Sequence, residues 1–211
     1  VSVDEIVEIK TKCEADAARI ALEKSGCEKD LARCQPIVNA ALKAVDSIKP
    51  ADINEVKKLP NPSDIIKLIF DVVLILFKYP IGPVHQSDVA FSGGKITVPF
   101  FEPSFKPYAV SLLGDSGFLG YIKTFSDTGK DVINEETIEL MQPYLKLEQY
   151  NSEIAKKASN AAEGLCVWSR AMNDYHEASK IVKPKLEALS IAQAEMDKAN
   201  AALAAAEKRL A

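Results

Sequence analysis

The sequence has few of the residues that are abundant in compact or disulfide-bonded domains. Its 211 residues include only 9 Gly, 4 Cys, 2 His and 1 Trp, and aromatic residues make up 7%. Low glycine and aromatic contents indicate that part of the chain forms extended helix rather than a compact body. No run reaches the roughly 18 to 20 apolar residues of a membrane span, so we expect no contact with a membrane.

The charge balance narrows the classes of partner. There are 26 Lys+Arg against 30 Asp+Glu, which gives a net charge of -4 and a pI near 5.4. A general nucleic-acid-binding domain is normally basic, so we expect no nucleic-acid partner. No basic and then apolar leader follows Val1, so no secretion signal is expected. Helical patterning that runs to both ends indicates a piece of a longer protein.

Neither the cysteines nor the histidines have metal-ligand spacing. No pair of cysteines forms a Cys-x-x-Cys motif, and each histidine stands alone. We therefore predict buried, reduced thiols and no metal site. The residues concerned are Cys13, Cys27, Cys34, Cys166, His85 and His176.

Catalytic motifs are also missing. The GGK string at 93–95 lacks the upstream glycine of a phosphate-binding loop and is better explained as a hairpin turn. The GDSG string at 114–117 is similar to a serine-protease motif, but no histidine context accompanies it, so we interpret it as a short loop between helices. The sequence predicts no catalytic residue, no cofactor and no enzyme.

Apolar residues recur every seven positions at both ends of the chain. Such heptads predict coiled-coil helices, and neither seam can be buried alone, so we expect the two ends to pair antiparallel. Lys10 and Lys24 interrupt the first seam. The first series is Ile6, Cys13, Ile20, Cys27, Cys34, Ala41 and Ile48, with Ala17, Leu31, Val38 and Val45 four places on. The second series is Leu189, Met196, Leu203 and Leu210, with Ala192, Ala199 and Ala206.

Each heptad arm contains one proline, Pro36 in the first and Pro184 in the second. A proline inside a helix removes a backbone hydrogen bond and bends the helix. Both prolines lie outside the seam, so they can bend the arms without blocking their packing. They are either tolerated kinks or a built-in hinge.

The middle of the chain, 49–165, predicts several short helices. Asp52 is expected to cap the first, and Ser63 or Asp64 the second, whose sequence IIKLIFDVVLILF is apolar nearly all round and predicts a central helix. Asn134 is expected to cap a later helix.

The last helix of the middle segment is expected to start near Ser152 and to run through Gly164 into the second arm. Between 80 and 107, alternating apolar residues around Gly93–Gly94 predict a two-stranded hairpin.

Three strings follow one another along the chain: SIKPADINEVKKLPNPSDIIKL at 47–68, SLLGDSGFLGYIKTF at 111–125 and IAKKASNAAEGLCVWSRAMNDY at 154–175. Taken in this order, they resemble the stalk and microtubule-binding domain of dynein heavy chains. The stretch 80–107 is similar to the flap insertion of axonemal, inner-arm-type heavy chains. The resemblance implies an all-α fold: an antiparallel two-helix coiled-coil stalk capped by a small six-helix bundle, with a β-hairpin flap inserted.

The resemblance also implies a division of the chain and a function. Residues 1–48 would be stalk helix CC1, 49–165 the microtubule-binding domain, and 166–211 stalk helix CC2. The tip would bind αβ-tubulin in the axoneme of a cilium or flagellum. The rest of the heavy chain would hydrolyse ATP and set affinity by sliding one stalk helix about half a heptad, close to one turn.

Tubulin presents an acidic surface, so lysines are the expected contacts. By resemblance, Lys49 and Lys57 match basic positions of the first tip helix, and Glu153 and Lys157 match an acid–base pair of the sixth. Asp115 stands where cytoplasmic members carry an arginine. The full expected interface is Lys49, Glu55, Lys57, Lys58, Lys67, Glu153, Lys156 and Lys157. The possible flap contacts are Phe91, Lys95 and Phe100.

One alternative from another class stays open. A structural coiled-coil scaffold with a helical protein-binding tip would share the heptads. Its binding to microtubules, if any, would not depend on stalk register.

Overall fold

A computed structural model describes residues 2–79, 85–90, 97–102 and 105–210. It contains two compact units: a paired-helix unit, Val1–Gln35 with Glu177–Ala211, and a core unit, Pro36–His176. The helices are α1 (Val3–Ala32), α2 (Gln35–Asp46), α3 (Pro50–Lys58), α4 (Asp64–Leu76), α5 (Val110–Gly114), α6 (Phe118–Asp127), α7 (Glu135–Leu145), α8 (Ser152–Ala158), α9 (Asn160–Ser179) and α10 (Val182–Leu210).

In the paired-helix unit, α1 and α10 pack antiparallel. Lys10 near the start of α1 lies 3.9 Å from Glu207 near the end of α10, and Cys27 near the end of α1 faces Leu189 near the start of α10. The predicted seam is confirmed for the members named below, but Ala199 is exposed, and so is Lys24, which interrupts the first series. Buried or half-buried seam residues are Ile6, Cys13, Ala17, Ile20, Cys27, Leu31, Leu189, Ala192, Met196, Leu203 and Ala206.

The last two heptads of the first arm pack elsewhere. Val38 is buried on α2, and Ala41, Val45 and Ile48 belong to the hydrophobic core of the core unit. The compact units therefore divide near Gln35 and His176. The predicted division at 48 and 165 separates the stalk helices from the binding domain, which is a different division from the one into compact units. It stays a prediction.

Both prolines lie at helix starts, so the expectation of prolines inside continuous helices is wrong. α1 ends at Ala32, and Pro36 is the second residue of α2; Pro184 is the third residue of α10. The first N–H groups of a helix have no intrahelical acceptor, so proline removes no hydrogen bond there. Each proline thus favours a break in its arm, and the hinge role of both residues stays a prediction.

The core unit is built around α4, as its sequence predicts. Every residue from Ile65 to Leu76 except Lys67 is buried. Phe70 packs edge-on against Phe105 with ring centroids 5.7 Å apart. The one buried carboxyl of α4, on Asp71, accepts a 3.0 Å hydrogen bond from the Tyr144 hydroxyl of α7, which lowers the cost of burying a polar group.

Two predicted helix boundaries need correction. The N-cap of α3 is Lys49 rather than Asp52, and the Asp52 carboxylate in the first turn accepts a 2.8 Å hydrogen bond from the Lys49 N–H. The segment expected to run from near Ser152 into the second arm is three helices, α8, α9 and α10, with a turn at 180–181 between the last two. Ser159 adopts an extended conformation between α8 and α9. Its hydroxyl accepts from the Ala161 N–H at 3.1 Å, which satisfies a donor at the start of α9.

Two strands lie in the segment where a hairpin was predicted. β1 (His85–Ala90) pairs antiparallel with β2 (Thr97–Glu102), and Val89 faces Val98 in the register. The predicted turn at Gly93–Gly94 lies outside the described residues. The interpretation of these strands as a flap and the count of six tip helices stay predictions.

In the described ranges of the chain, none of the helices combines the length and the hydropathy that crossing a bilayer requires. This finding concerns the helices alone.

The expectation of buried thiols is confirmed for Cys34 and Cys166 and is wrong for Cys13 and Cys27, which are half-buried, and this difference predicts their reactivity. Cys166 is fully buried, and burial raises the pKa of its thiol from 9.0 to about 11, so almost none is thiolate at pH 8. We expect an aromatic disulfide reagent at pH 8 to label half-buried Cys13 and Cys27 quickly and Cys166 only after unfolding. Mass mapping of labelled peptides measures this, and rapid labelling of Cys166 in the folded chain would contradict it.

Candidate functional site

Helix α3 has one apolar and one charged face. Pro50 starts it, where a missing N–H costs nothing, and Lys57 and Lys58 in its last turn complement the helix dipole. Ile53 and Val56 are buried in the core, whereas the remaining site residues of this helix are exposed. The exposed candidates are Lys49, Glu55, Lys57 and Lys58. The core therefore orients this charged face outward.

Helix α8 is fixed at its N-terminal end. Asn151 caps it by accepting a 2.9 Å hydrogen bond from the Ile154 N–H. Just before the cap, Tyr150 is fully buried and its hydroxyl lies 2.7 Å from the Ser169 hydroxyl of α9. Arg170 Nε donates to the Tyr150 carbonyl at 3.0 Å, and its guanidinium also donates to the Leu145 carbonyl at 3.1 Å. These bonds hold the connection that leads into α8.

The outer face of α8 carries three candidate residues. Ala155 is buried, and Glu153, Lys156 and Lys157 are exposed. Lys156 lies 3.9 Å from Glu163 of α9, an exposed ion pair that contributes little stability. Within the described part of the chain, Lys157 has no ion pair. Its ammonium is therefore available to a partner.

Lys67 is the one residue of α4 from Ile65 onward that is not buried. Its ammonium donates to the Asn61 side-chain oxygen at 3.4 Å, in the loop before α4. Because α4 packs against α8, Lys67 and the α8 lysines lie on two helices in direct contact.

The turn between α5 and α6 faces α3. The Asp115 carboxylate accepts from the Gly117 N–H at 2.8 Å and from the Tyr121 hydroxyl at 3.0 Å, so it shapes this turn. That hydrogen bond, together with the carboxylate charge, raises the pKa of the Tyr121 phenol. An open cleft of about 370 Å³ separates the turn from α3 and is lined by Lys57 and Asp115. The GDSG string is thus a loop between helices, as predicted.

The structure brings Lys57 together with the Asp115 turn. Of the flap candidates, only Phe100 lies within the described residues. A Cβ built on Gly114 would lie 3.4 Å from Lys57 Nζ. Phe91 and Lys95 lie outside the described residues, and Phe100 lies on β2.

Sequence reasoning missed the residues that hold the site. Tyr121, Tyr150 and Arg170 do not bear the expected contacts, yet they fix the Asp115 turn and the start of α8. The one local signal for α8 was Asn151 before Ser152, a typical N-cap sequence. The long-range bonds of Arg170 had no sequence signal.

The sequence matches, over residues 7–211, a family described as the microtubule-binding stalk of dynein motor. This chain belongs to that family.

Individual relatives point to axonemal motors. The chain is 38% identical over 206 residues to the dynein gamma chain of the flagellar outer arm of Chlamydomonas reinhardtii, covering 98% of this chain. It is 35% identical over 182 residues to human dynein axonemal heavy chain 3, covering 84% of this chain. The chain spans only 4% of the length of either relative. These relatives do not separate inner-arm from outer-arm types, so that part of the assignment stays a prediction.

Proposed function

We propose that this chain is the microtubule-binding part of an axonemal dynein heavy chain and that its core unit binds αβ-tubulin through α3 and α8. The observation that carries the proposal is the charged side of α3, where exposed Lys58 lies opposite buried Ile53 and Val56 and exposed Lys57 lies beside them. A rigid helix that presents lysines outward suits an acidic protein surface. Lys49, Lys67 and Lys157 are further lysines of the proposed interface.

The first test is cosedimentation of the chain with microtubules at two salt concentrations. We expect binding that weakens as salt rises, because dissolved ions screen the attraction between exposed ammonium and carboxylate groups. At 0.1 M salt this attraction is largely lost beyond about 10 Å. Lys57→Ala and Lys157→Ala should each weaken binding severalfold at low salt. Binding that is unchanged by salt and by both substitutions would contradict the site. Absence of binding at both salts would contradict the function.

We further propose that the register of α1 against α10 sets the affinity. A slip of half a heptad exchanges a and d positions and keeps an apolar stripe facing an apolar stripe, so two registers are physically accessible. Small seam residues such as Ala17 and Ala192 support this by lowering the barrier to sliding. The family resemblance supplies the link to tubulin affinity.

The register proposal is tested with disulfide cross-links. Cysteine pairs placed across α1 and α10 in registers half a heptad apart, in a chain whose natural cysteines are replaced, should give microtubule affinities that differ severalfold. The reduced forms of the same variants are the controls. Equal affinities in both cross-linked registers would refute the proposal.

We assign no catalytic step to this chain. ATP hydrolysis is proposed to occur in the rest of the heavy chain, and the axoneme of a cilium or flagellum is the proposed location. The names of the two relatives above support that location. We propose no cofactor for the segment itself.

A further inference from the structure

We propose that Asp115 limits the affinity of α3 for an acidic protein surface, an inference that rests on the proposed function. Asp115 is exposed in the turn between α5 and α6, on the wall of the cleft opposite Lys57. Any carboxylate of a partner that approaches the Lys57 ammonium also approaches this negative charge. The two side chains therefore act on such a partner with opposite sign.

The position of the Asp115 charge is fixed by the fold. One carboxylate oxygen accepts from the Gly117 N–H at 2.8 Å, and the other accepts from the Tyr121 hydroxyl at 3.0 Å. The Asp115 N–H itself donates to the Leu112 carbonyl at 3.2 Å, at the end of α5. The Asp115 carbonyl also accepts from the Phe118 N–H at 3.2 Å. Because four hydrogen bonds hold the residue, two of them at the carboxylate, this group cannot readily swing away when an acidic partner approaches.

Lys57 lies within the range of this charge. Its ammonium is 3.4 Å from a Cβ built on Gly114, and Asp115 is the next residue along the chain. Adjacent Cα atoms are about 3.8 Å apart, so both charges fall well within the Debye length of about 30 Å at 0.01 M salt. For a partner carboxylate about 7 Å from the Asp115 carboxylate in water, removing the repulsion between the two is expected to raise affinity about threefold.

A matched set of substitutions separates charge from shape. Asp115→Asn removes the charge and keeps an oxygen that can accept from the Gly117 N–H. Tyr121→Phe keeps the charge and removes one hydrogen bond. Asp127→Asn makes the same change in charge at an exposed position at the far end of α6.

Two binding measurements test the inference: microtubule cosedimentation, and retention on immobilised poly-L-glutamate, each at low and high salt. We expect Asp115→Asn to bind about threefold more tightly at low salt, with the gain lost at high salt. Asp127→Asn should show no such gain, and Tyr121→Phe, which frees one carboxylate oxygen but keeps the charge, should gain less than Asp115→Asn. Trp168 fluorescence confirms that each variant is folded.

The outcomes distinguish the two proposals. If the unaltered chain binds microtubules and Asp115→Asn gains nothing or binds more weakly, this inference is wrong and the proposed function stands. If the unaltered chain fails to bind microtubules, the proposed function is wrong, and retention on poly-L-glutamate still decides the role of Asp115. An equal gain from Asp127→Asn would show a general charge effect and would overturn the inference.

Discussion

Gly164→Val is expected to destabilise the core unit by about 3 kcal/mol, at the upper end of the usual cost of overpacking. A Cβ built on Gly164 would lie 2.9 Å from the Ala44 carbonyl oxygen and 2.8 Å from Ile48 Cδ1. The Ile48 side chain can rotate, but the backbone of α2 cannot move without disturbing its own hydrogen bonds. The close approach of α9 to α2 therefore requires a glycine at this position.

The same substitution elsewhere provides the control. Gly120 lies inside α6, and nothing comes within 4 Å of a Cβ built on it. Gly120→Val should leave stability nearly unchanged or raise it slightly, because valine has a better helix propensity than glycine. Urea unfolding followed by the fluorescence of Trp168 reports on the core unit alone, because Trp168 is the only tryptophan. Equal unfolding midpoints for the Gly164→Val chain and the unaltered chain would contradict the prediction.

Elements that depend on a repeating pattern were predictable from the sequence. The seven-residue spacing of Ile6, Cys13 and Ile20 correctly places one face of α1 against α10, since period and burial are directly linked. The unbroken apolar run of α4 likewise indicated a central helix, and Asn134 caps α7 through a 2.9 Å bond from the Thr137 N–H. In each case the signal is local.

Features that depend on tertiary contacts were not predictable. Gly164 was expected only to lie within a continuous helix, whereas it also allows α9 to approach α2, and the chain breaks before it at Ser159. The heptads of the first arm continue across Pro36, but their later members are buried in a different unit. A periodic pattern shows which face is buried and leaves open which partner buries it.

In the candidate site, the exposure of Lys157 was predictable from the sequence, whereas the residues that support the site were not. The exposure of Lys157 could be expected from helical periodicity, because buried Ala155 sets the opposite face, whereas Lys57 lies beside the buried face that Ile53 and Val56 form. The hydrogen bonds of Asp115 and Arg170 join residues whose pairing has no sequence pattern. Supporting residues of this kind become visible only once the chain is folded.

Reversing the charge of the two exposed lysines on α3 and α8 should nearly abolish attachment. Lys57→Glu with Lys157→Glu replaces attraction to an acidic surface by repulsion at two places. At about 1 kcal/mol for each reversed contact, we expect affinity for microtubules to fall roughly thirtyfold or more at low salt. Cosedimentation over a range of tubulin concentrations measures the change.

The matched control is Lys43→Glu with Lys146→Glu. Both lysines are exposed in the core unit, on α2 and at the end of α7, and the pair alters net charge by the same amount. If attachment depends on where the charges lie, this control should lose only the small part that long-range electrostatics contributes. An equal loss in both double variants would assign the effect to net charge and would reject α3 and α8 as the interface. Unchanged Trp168 fluorescence in both would show that each loss arises at the surface rather than from unfolding.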